Sequence, residues 1–287
     1  MILIRSLQWI FKGVSHSRLT SIAHILAIIL FDILRVRRNI ILKNLDLVFG
    51  TQLTRTEKIK MGRKSVESFV LTALEFVMFS KLWPQVRFEA LGSEHMEAAV
   101  AQKRGVYVAG VHQGNWEYMC AFGATHYGKA TMALKPVGTP SIQAWVRATR
   151  ESFGVREVPR RASKPAWQIL VEGMKRRELV AHVTDQRRTK GISVNLFGHP
   201  TLTNASLFRL WKTHPAPIIP FTNRRLKGLA FEIKMWPEFE VATDPSWSEE
   251  EFLRVNCQRL NELVERMILV APEQYFWMHN RWKKVRE

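Results

Sequence analysis

The amino-acid sequence predicts an α/β protein with a central, mostly parallel sheet flanked by helices and with an N-terminal helical segment associated with a membrane. Two observations predict this fold. Short runs of β-branched and apolar residues alternate with longer segments of helical periodicity, which is typical of strand–helix–strand units. Residues 1–38 are mostly apolar with interspersed basic residues, as in a membrane-contacting segment.

The composition favours a polyanionic partner. The chain has 287 residues, 46% of them hydrophobic, and a formal net charge of +18. Nucleic acid, anionic lipid headgroups and acidic proteins all attract such a charge. The 10 tryptophans suit a membrane interface, or single-stranded nucleic acid whose bases stack on aromatic rings. Cys120 and Cys257 lie far apart in the sequence, so we expect buried free thiols rather than a disulfide framework.

The N-terminal segment is most apolar over residues 19–34, which include His24 and Asp32. This stretch is shorter than the roughly 20 residues that cross a bilayer, so a spanning helix, an interfacial helix and a buried core helix all remain open. The basic residues that follow, Arg35, Arg37, Arg38 and Lys43, would keep the downstream chain in the cytoplasm or bind anionic headgroups. We divide the chain into an anchor over residues 1–45 and an α/β domain over residues 46–287.

The other elements follow from caps and periodicity. Thr54 and Glu57 form a capping box before a helix whose apolar residues continue to Val77, and Ser248 with Glu251 starts another. The same patterns predict strands at 86–91, 106–111, 130–134, 179–184, 216–221 and 230–235, a short extended stretch at 194–197, and helices at 94–103, 139–153, 163–177, 206–212 and 248–270.

The main candidate site is the corner after strand 106–111. The strand ends on His112, Gly114 and Asn115 are turn residues, and Glu117 opens a helix. On one continuous helix His112 and Glu117 would point about 140° apart, so they meet only if the chain turns between them. A histidine beside a carboxylate at the carboxyl end of a strand is typical of a general base with its orienting partner. The alternative is a pair of solvated loop residues.

A second polar group, Asp185-Gln186-Arg187-Arg188, follows strand 179–184, and Arg147 and Arg150 lie on helix 139–153. The sequence contains no Gly-x-Ser-x-Gly elbow, Walker loop or Gly-x-Gly-x-x-Gly fingerprint. This favours direct group transfer without a covalent enzyme intermediate. His182 and Asp185 are poorly spaced for metal ligands because strand side chains alternate, so no metal site is predicted.

Three separated blocks then carry a resemblance. They are residues 38–49 (RNIILKNLDLVF), the segment HQGNWE at 112–117 followed by Arg150-x-x-Phe153-Gly154 and Asp185-Gln186, and Pro272 to Lys283 within the aromatic and basic C-terminal stretch 272–284. The C-terminal stretch could also be an aromatic helix packed on the core with a solvated basic tail. In this order the blocks resemble the bacterial lipid A biosynthesis acyltransferase family, the late (secondary) acyltransferases that use acyl carrier protein as donor.

The resemblance implies a fold like that of glycerol-3-phosphate and lysophospholipid acyltransferases, on the cytoplasmic face of the bacterial inner membrane. It implies acyl transfer from acyl carrier protein or acyl-CoA, with no bound cofactor, to a hydroxyl of a lipid A precursor or related glycolipid at the anionic membrane surface. His112 would be the base and Glu117 would hold its tautomer. Substrate or oxyanion contacts would come from Arg150, Asp185, Asn115 and Gln186. The competing functions are a nucleic-acid-binding protein and a hydrolase that uses the same histidine.

Overall fold

The computed structural model describes residues 2–134, 138–158 and 164–283, with side chains from residue 6 onward. The predicted helix start at Ser163 and the end of the C-terminal stretch at Lys284 lie outside these residues.

The central sheet has the strand order β1-β9-β8-β2-β5-β3-β4, and its pairs are parallel except for β8 with β9. The mostly parallel sheet is therefore confirmed. A separate hairpin pairs β6 with β7. The strands are β1 (Arg87–Leu91), β2 (Val106–Gly110), β3 (Ala130–Met132), β4 (Val155–Glu157), β5 (Leu179–Val183), β6 (Arg187–Leu196), β7 (His199–Thr203), β8 (Ile218–Arg225) and β9 (Ala230–Met235).

Helices cover the sheet on both faces. They are α1 (Ile2–Phe11), α2 (His16–Ile28) with a π-helical continuation (Ile29–Ile33), α3 (Arg38–Phe49), α4 (Arg55–Val77), α5 (Phe79–Leu82), α6 (Ser93–Ala101), α7 (Trp116–His126), α8 (Pro140–Glu151), α9 (Ala166–Lys175), α10 (Ser206–Thr213) and α11 (Glu249–Leu269). The predicted caps are present: Thr54 and Glu57 form the capping box of α4, and the Ser248 side chain accepts from the Glu251 amide. These local bonds start each helix where the sequence predicts it.

The core lies in two buried clusters on opposite faces of the sheet. Alternate residues of β2 supply them: Tyr107 and Ala109 belong to one cluster, and Val106 and Val108 to the other. All five residues of β2 are buried, as expected for a central parallel strand covered on both faces.

The N-terminal helix α2 packs against this core along one side. Leu19, Ala23, Ala27 and Phe31 are buried in the same cluster as Tyr107, and Gly62 on α4 allows close approach, because a Cβ there would lie 2.9 Å from Phe31 Cζ. The packing is thus continuous across the boundary expected at residue 45. The division of the chain at that boundary stays a prediction.

Some elements differ from the sequence prediction. Strands β4 and β7 and helix α3 were not predicted, and β6 begins seven residues before the expected extended stretch at 194–197. The interpretation of the C-terminal stretch as an aromatic helix is wrong. Pro272–Gln274 form one 3-10 turn, and Tyr275, in extended conformation, then pairs with Gln113 in an antiparallel bridge.

Candidate active site

The parallel pairing of β2 with β5 brings His112 and Asp185 together. Gly110 lies opposite Val183 in the register, and each candidate follows its strand by two residues. The Thr184 amide and hydroxyl both bond to the Gly110 carbonyl oxygen, at 2.9 and 3.1 Å, which fixes the two strand ends side by side. Asp185 Oδ1 then lies 2.9 Å from His112 Nδ1, and Asp185 Oδ2 accepts the His112 backbone N–H at 3.1 Å.

This contact fixes the tautomer of the histidine. Burial alone would lower the pKa of His112, but the charge of Asp185 and its hydrogen bond outweigh burial, so the pKa is raised above its usual 6.5. Burial would likewise raise the pKa of Asp185, yet His112 and Tyr275 hold it below its usual value. Asp185 is therefore an anion that accepts the Nδ1 proton, and Nε2 of His112 is left as the basic nitrogen.

Tyr275 is a third member of this group that the sequence analysis gave no role. Its side chain is buried and hydrogen-bonds Asp185, and burial raises the tyrosine pKa far above 10, so the hydroxyl is neutral and donates to the carboxylate. The neighbouring Phe276 amide donates to the His112 carbonyl oxygen at 2.9 Å. Tyr275 falls within the C-terminal block of the resemblance, which was the available signal.

Glu117 does not occupy the position expected for it. Its carboxylate accepts two hydrogen bonds from Arg150, from Nε at 2.9 Å and from Nη2 at 2.5 Å, and Arg150 Nη1 also bonds to Glu157. The expected His112–Glu117 contact is therefore corrected: Asp185 takes Nδ1, and Glu117, in the first turn of α7, is held by Arg150 of α8. The charge of Glu117 still contributes to the raised pKa of His112, after Asp185.

Arg150 lies between two carboxylates rather than at His112. Burial would lower its pKa, but Glu117 and Glu157 outweigh this and raise it, so the guanidinium stays charged. The pair with Glu117 is bidentate, the geometry in which arginine holds a carboxylate most firmly. A direct contact of Arg150 with substrate stays a prediction.

The other two expected substrate residues have different surroundings. Asn115 is fully buried: its Oδ1 caps α7 by accepting the Tyr118 amide at 3.0 Å, and its Nδ2 donates to Glu75 at 2.7 Å. Both ends of its side-chain amide thus have partners inside the protein, and a contact of Asn115 with substrate stays a prediction. Gln186 fits the expectation better, because its Nε2 lies 3.4 Å from both ring nitrogens of His112.

Aromatic rings surround the histidine. The Trp116 ring lies edge-on at 5.3 Å from the His112 ring and the Phe276 ring at 6.0 Å, while Phe69 on α4 contacts both of these rings. The His112 side chain keeps 17% of its surface exposed. The base is thus reached from solvent through an apolar rim.

An apolar slot runs between α7 and the sheet beside these strand ends. It is narrow, with a cavity volume of about 40 Å³, and its lining includes Gly110, Val183, Met119, Gly123 and Leu179. Gly110 and Val183 each lie two residues before His112 and Asp185. Cys120 also lines the slot, and burial raises the pKa of its thiol to about 12. Such a thiol is protonated at neutral pH and is a poor nucleophile.

No cluster of three or more His, Cys, Asp or Glu side chains suited to a metal ion occurs in the part of the chain that the structure describes.

Comparison with known proteins agrees with the resemblance in the sequence. The family model described as bacterial lipid A biosynthesis acyltransferase matches residues 3–284. The chain is 27% identical to the lipid A biosynthesis lauroyltransferase of Escherichia coli K12, over 86% of this chain and 79% of that protein. It is 25% identical to the lipid A biosynthesis palmitoleoyltransferase of the same strain, over 87% and 80%. It is also 24% identical, over 67% and 58%, to a phosphatidylinositol mannoside acyltransferase of Mycobacterium tuberculosis CDC 1551 / Oshkosh.

Proposed function

The chain belongs to the bacterial lipid A biosynthesis acyltransferase family and is an acyltransferase, and from this premise we propose that it moves a fatty acyl group from an acyl carrier protein thioester to a hydroxyl of a lipid A precursor or related glycolipid. The observation that carries the proposal is the His112–Asp185 pair at the strand ends that also border the apolar slot. A base beside an apolar channel suits a reaction that brings a hydroxyl to a long acyl chain.

The reaction proceeds by direct transfer. Nε2 of His112 takes the proton of the acceptor hydroxyl as its oxygen attacks the thioester carbonyl carbon. Asp185 stabilises the imidazolium through Nδ1. The tetrahedral intermediate collapses, the carbon–sulfur bond breaks, and the leaving thiolate takes the proton back from Nε2. The Gln186 side-chain amide, 3.4 Å from the imidazole nitrogens, donates to the oxyanion.

The acyl chain lies in the apolar slot. The slot is lined by Val108, Met119, Phe221 and other apolar side chains between α7 and the sheet, and each buried methylene contributes about 0.8 kcal/mol to binding. Because the slot measures only about 40 Å³, the acyl chain widens it on entry, and the side chains that line it set the preferred chain length. The donor is the acyl carrier protein, an acidic partner that suits the excess of 18 positive charges and the exposed Arg188 and Lys190, which follow Asp185 closely. Acyl-CoA is the alternative donor.

The outer side of α2 contacts the membrane. Residues 16–33 form one helix long and apolar enough to span a bilayer. Ile33 at its end and Leu34 directly after it are 67% and 62% exposed, and exposed Arg35 and Arg37 follow. The other side of α2 packs against α4, and α4 carries the charged Lys60 and Arg63. We therefore place α2 flat in the interface at the cytoplasmic face rather than across the bilayer.

The test uses the purified full chain in mixed micelles. The donor is acyl carrier protein carrying a labelled fatty acyl thioester, or the matching acyl-CoA, and the acceptor is a lipid A precursor or phosphatidylinositol mannoside. We expect mass spectrometry to find one added acyl group on an acceptor, and faster transfer from the carrier protein. Release of free fatty acid at the same rate without acceptor would show a hydrolase instead.

A further inference from the structure

The buried carboxylate of Glu75 connects the N-terminal helix with the active-site loop. Glu75 lies on α4 and is fully buried. Its Oε1 accepts His16 Nε2 at 2.7 Å and Arg225 Nη1 at 2.7 Å, and its Oε2 accepts Asn115 Nδ2 at 2.7 Å and Arg225 Nη2 at 2.6 Å. One carboxylate thus joins α2, β8 and the loop that follows His112.

The Asn115 end of this connection is the part that bears on the reaction. Asn115 lies three residues after His112, and its side chain starts α7 by capping the Tyr118 amide. One turn before Glu75 on the same helix, Thr72 donates to the Gly114 carbonyl oxygen at 3.0 Å. Helix α4 therefore holds two consecutive residues of the loop that begins at His112.

At the other end of this connection, Arg225 supplies a counter-charge to Glu75 and His16 supplies a hydrogen bond. Arg225 donates one hydrogen bond from each terminal nitrogen to Glu75. This bidentate pair places a positive charge directly beside the buried carboxylate. Since an ionised carboxylate only accepts, His16 donates from Nε2. Without that donor, one lone pair of a fully buried oxygen loses its partner, and the carboxylate can shift toward Arg225 and away from Asn115.

We propose that His16 and Glu75 are positioning residues for acyl transfer: His16, at the first turn of α2, holds Glu75 in the orientation that fixes Asn115 and with it the loop from His112 to Glu117. Helix α2, which we place at the membrane, then contacts Asn115 of this loop through a single side chain, that of Glu75. The rate measurement that tests this role rests on the proposed acyl transfer, whereas the hydrogen-exchange measurement does not.

The chain offers a matched control on the same two helices. His24 on α2 contacts Glu67 on α4 at 2.9 Å, as His16 contacts Glu75 at 2.7 Å. The His24 pair is solvent-exposed and lies two helical turns farther from the loop. If His16→Ala acts only by loosening α2 from α4, His24→Ala should have the same effect. If His16→Ala acts by releasing the loop, His24→Ala should have no such effect.

The experiment compares His16→Ala, His16→Gln and His24→Ala in the full chain. We expect His16→Ala to lower kcat by about 10- to 100-fold, the range for slightly misplaced catalytic groups, with KM for the donor within about two-fold. We expect His24→Ala to match the wild type and His16→Gln, whose amide can still donate to Glu75, to recover most of the rate. Hydrogen exchange of the amides in residues 112–117 should be faster in His16→Ala alone.

Equal losses in His16→Ala and His24→Ala, or an unchanged rate and exchange in His16→Ala, would overturn the proposal. If His16→Ala does not fold, His16→Phe replaces it in the comparison with His16→Gln. The phenyl ring fills the space of the imidazole but cannot donate a hydrogen bond to Glu75. If the wild type transfers no acyl group, the proposed function fails, while the hydrogen-exchange comparison still decides whether His16 positions the loop.

Discussion

Asp185 Oδ1 accepts the Nδ1 proton of His112 at 2.9 Å, and the same carboxylate accepts the backbone N–H of His112 at 3.1 Å. One side chain therefore sets both the tautomer of the imidazole and the place where the chain leaves β2. Tyr275 holds the carboxylate from the other side. The proposed base is therefore held by two neighbouring strand ends and a C-terminal segment.

The first prediction concerns the pH dependence of the rate. In the proposed reaction neutral His112 is the base, so kcat/KM should fall as pH drops through its pKa, which Asp185 holds above 6.5. Asp185→Asn removes the negative charge and therefore should move this acid limb to lower pH, while the rate falls by about 10²- to 10⁴-fold. Glu117→Gln should move the limb less. A larger shift in Glu117→Gln than in Asp185→Asn would restore a His112–Glu117 dyad.

His112 could be placed from sequence because its signals are local: a β-branched strand, a turn and a helix cap within twelve residues. Its partner could not. The contact with Asp185 spans 73 residues and depends on which strand lies beside β2. Glu117 was the nearer carboxylate in sequence, but side-chain direction at the first turn of α7 takes it to Arg150. Sequence proximity favoured Glu117 as the contact of His112, whereas the fold brings Asp185 to Nδ1.

The fold shows the same division. Long periodic elements such as α4 and α11, with their Thr54 and Ser248 caps, follow from sequence. Strand β4 has three residues, too few for a periodic pattern, and β7 is stabilised by pairing with β6 rather than by its own residues. The position of Glu75 could have indicated its network from the sequence. A carboxylate among the core-facing positions of an amphipathic helix requires hydrogen-bond partners when it is buried.

The second prediction is that transfer involves no acyl-enzyme. His112→Ala should lower the rate by about 10²- to 10⁴-fold with the fold retained, because the ring is partly exposed at a strand end. Cys120, whose thiol pKa is raised to about 12, should remain unlabelled when labelled donor is supplied without acceptor, and Cys120→Ala should still transfer. A stable adduct on the intact protein by mass spectrometry would contradict direct transfer.

The third prediction places the acyl chain. A Cβ at Gly123 would lie 3.7 Å from Leu179 Cδ1, an ordinary contact inside the slot, so Gly123→Ala should fold and Gly123→Leu should shorten the slot. Each methylene that no longer fits costs about 0.8 kcal/mol, about four-fold in kcat/KM. The ratio of kcat/KM across donors of increasing chain length should therefore shift to shorter chains in Gly123→Leu. An unchanged preference would place the acyl chain elsewhere.

The last prediction concerns the membrane. Deleting residues 1–38 is a poor test, because it also removes Leu19 and Phe31 from the core and His16 from Glu75. Ile33 and Leu34 are two-thirds exposed, so Ile33→Ser with Leu34→Ser should leave Tm unchanged.

Each of these substitutions removes about 1–2 kcal/mol of apolar transfer to the bilayer, which is about 5- to 30-fold per residue in the partition coefficient. Co-sedimentation with vesicles of zwitterionic and anionic lipid measures this. The binding that remains in the double variant should depend on Arg35, Arg37 and the other exposed cations, so it should weaken with salt, which screens charges over about 10 Å at 0.1 M. Unchanged binding of the double variant in high salt would show that another surface contacts the membrane.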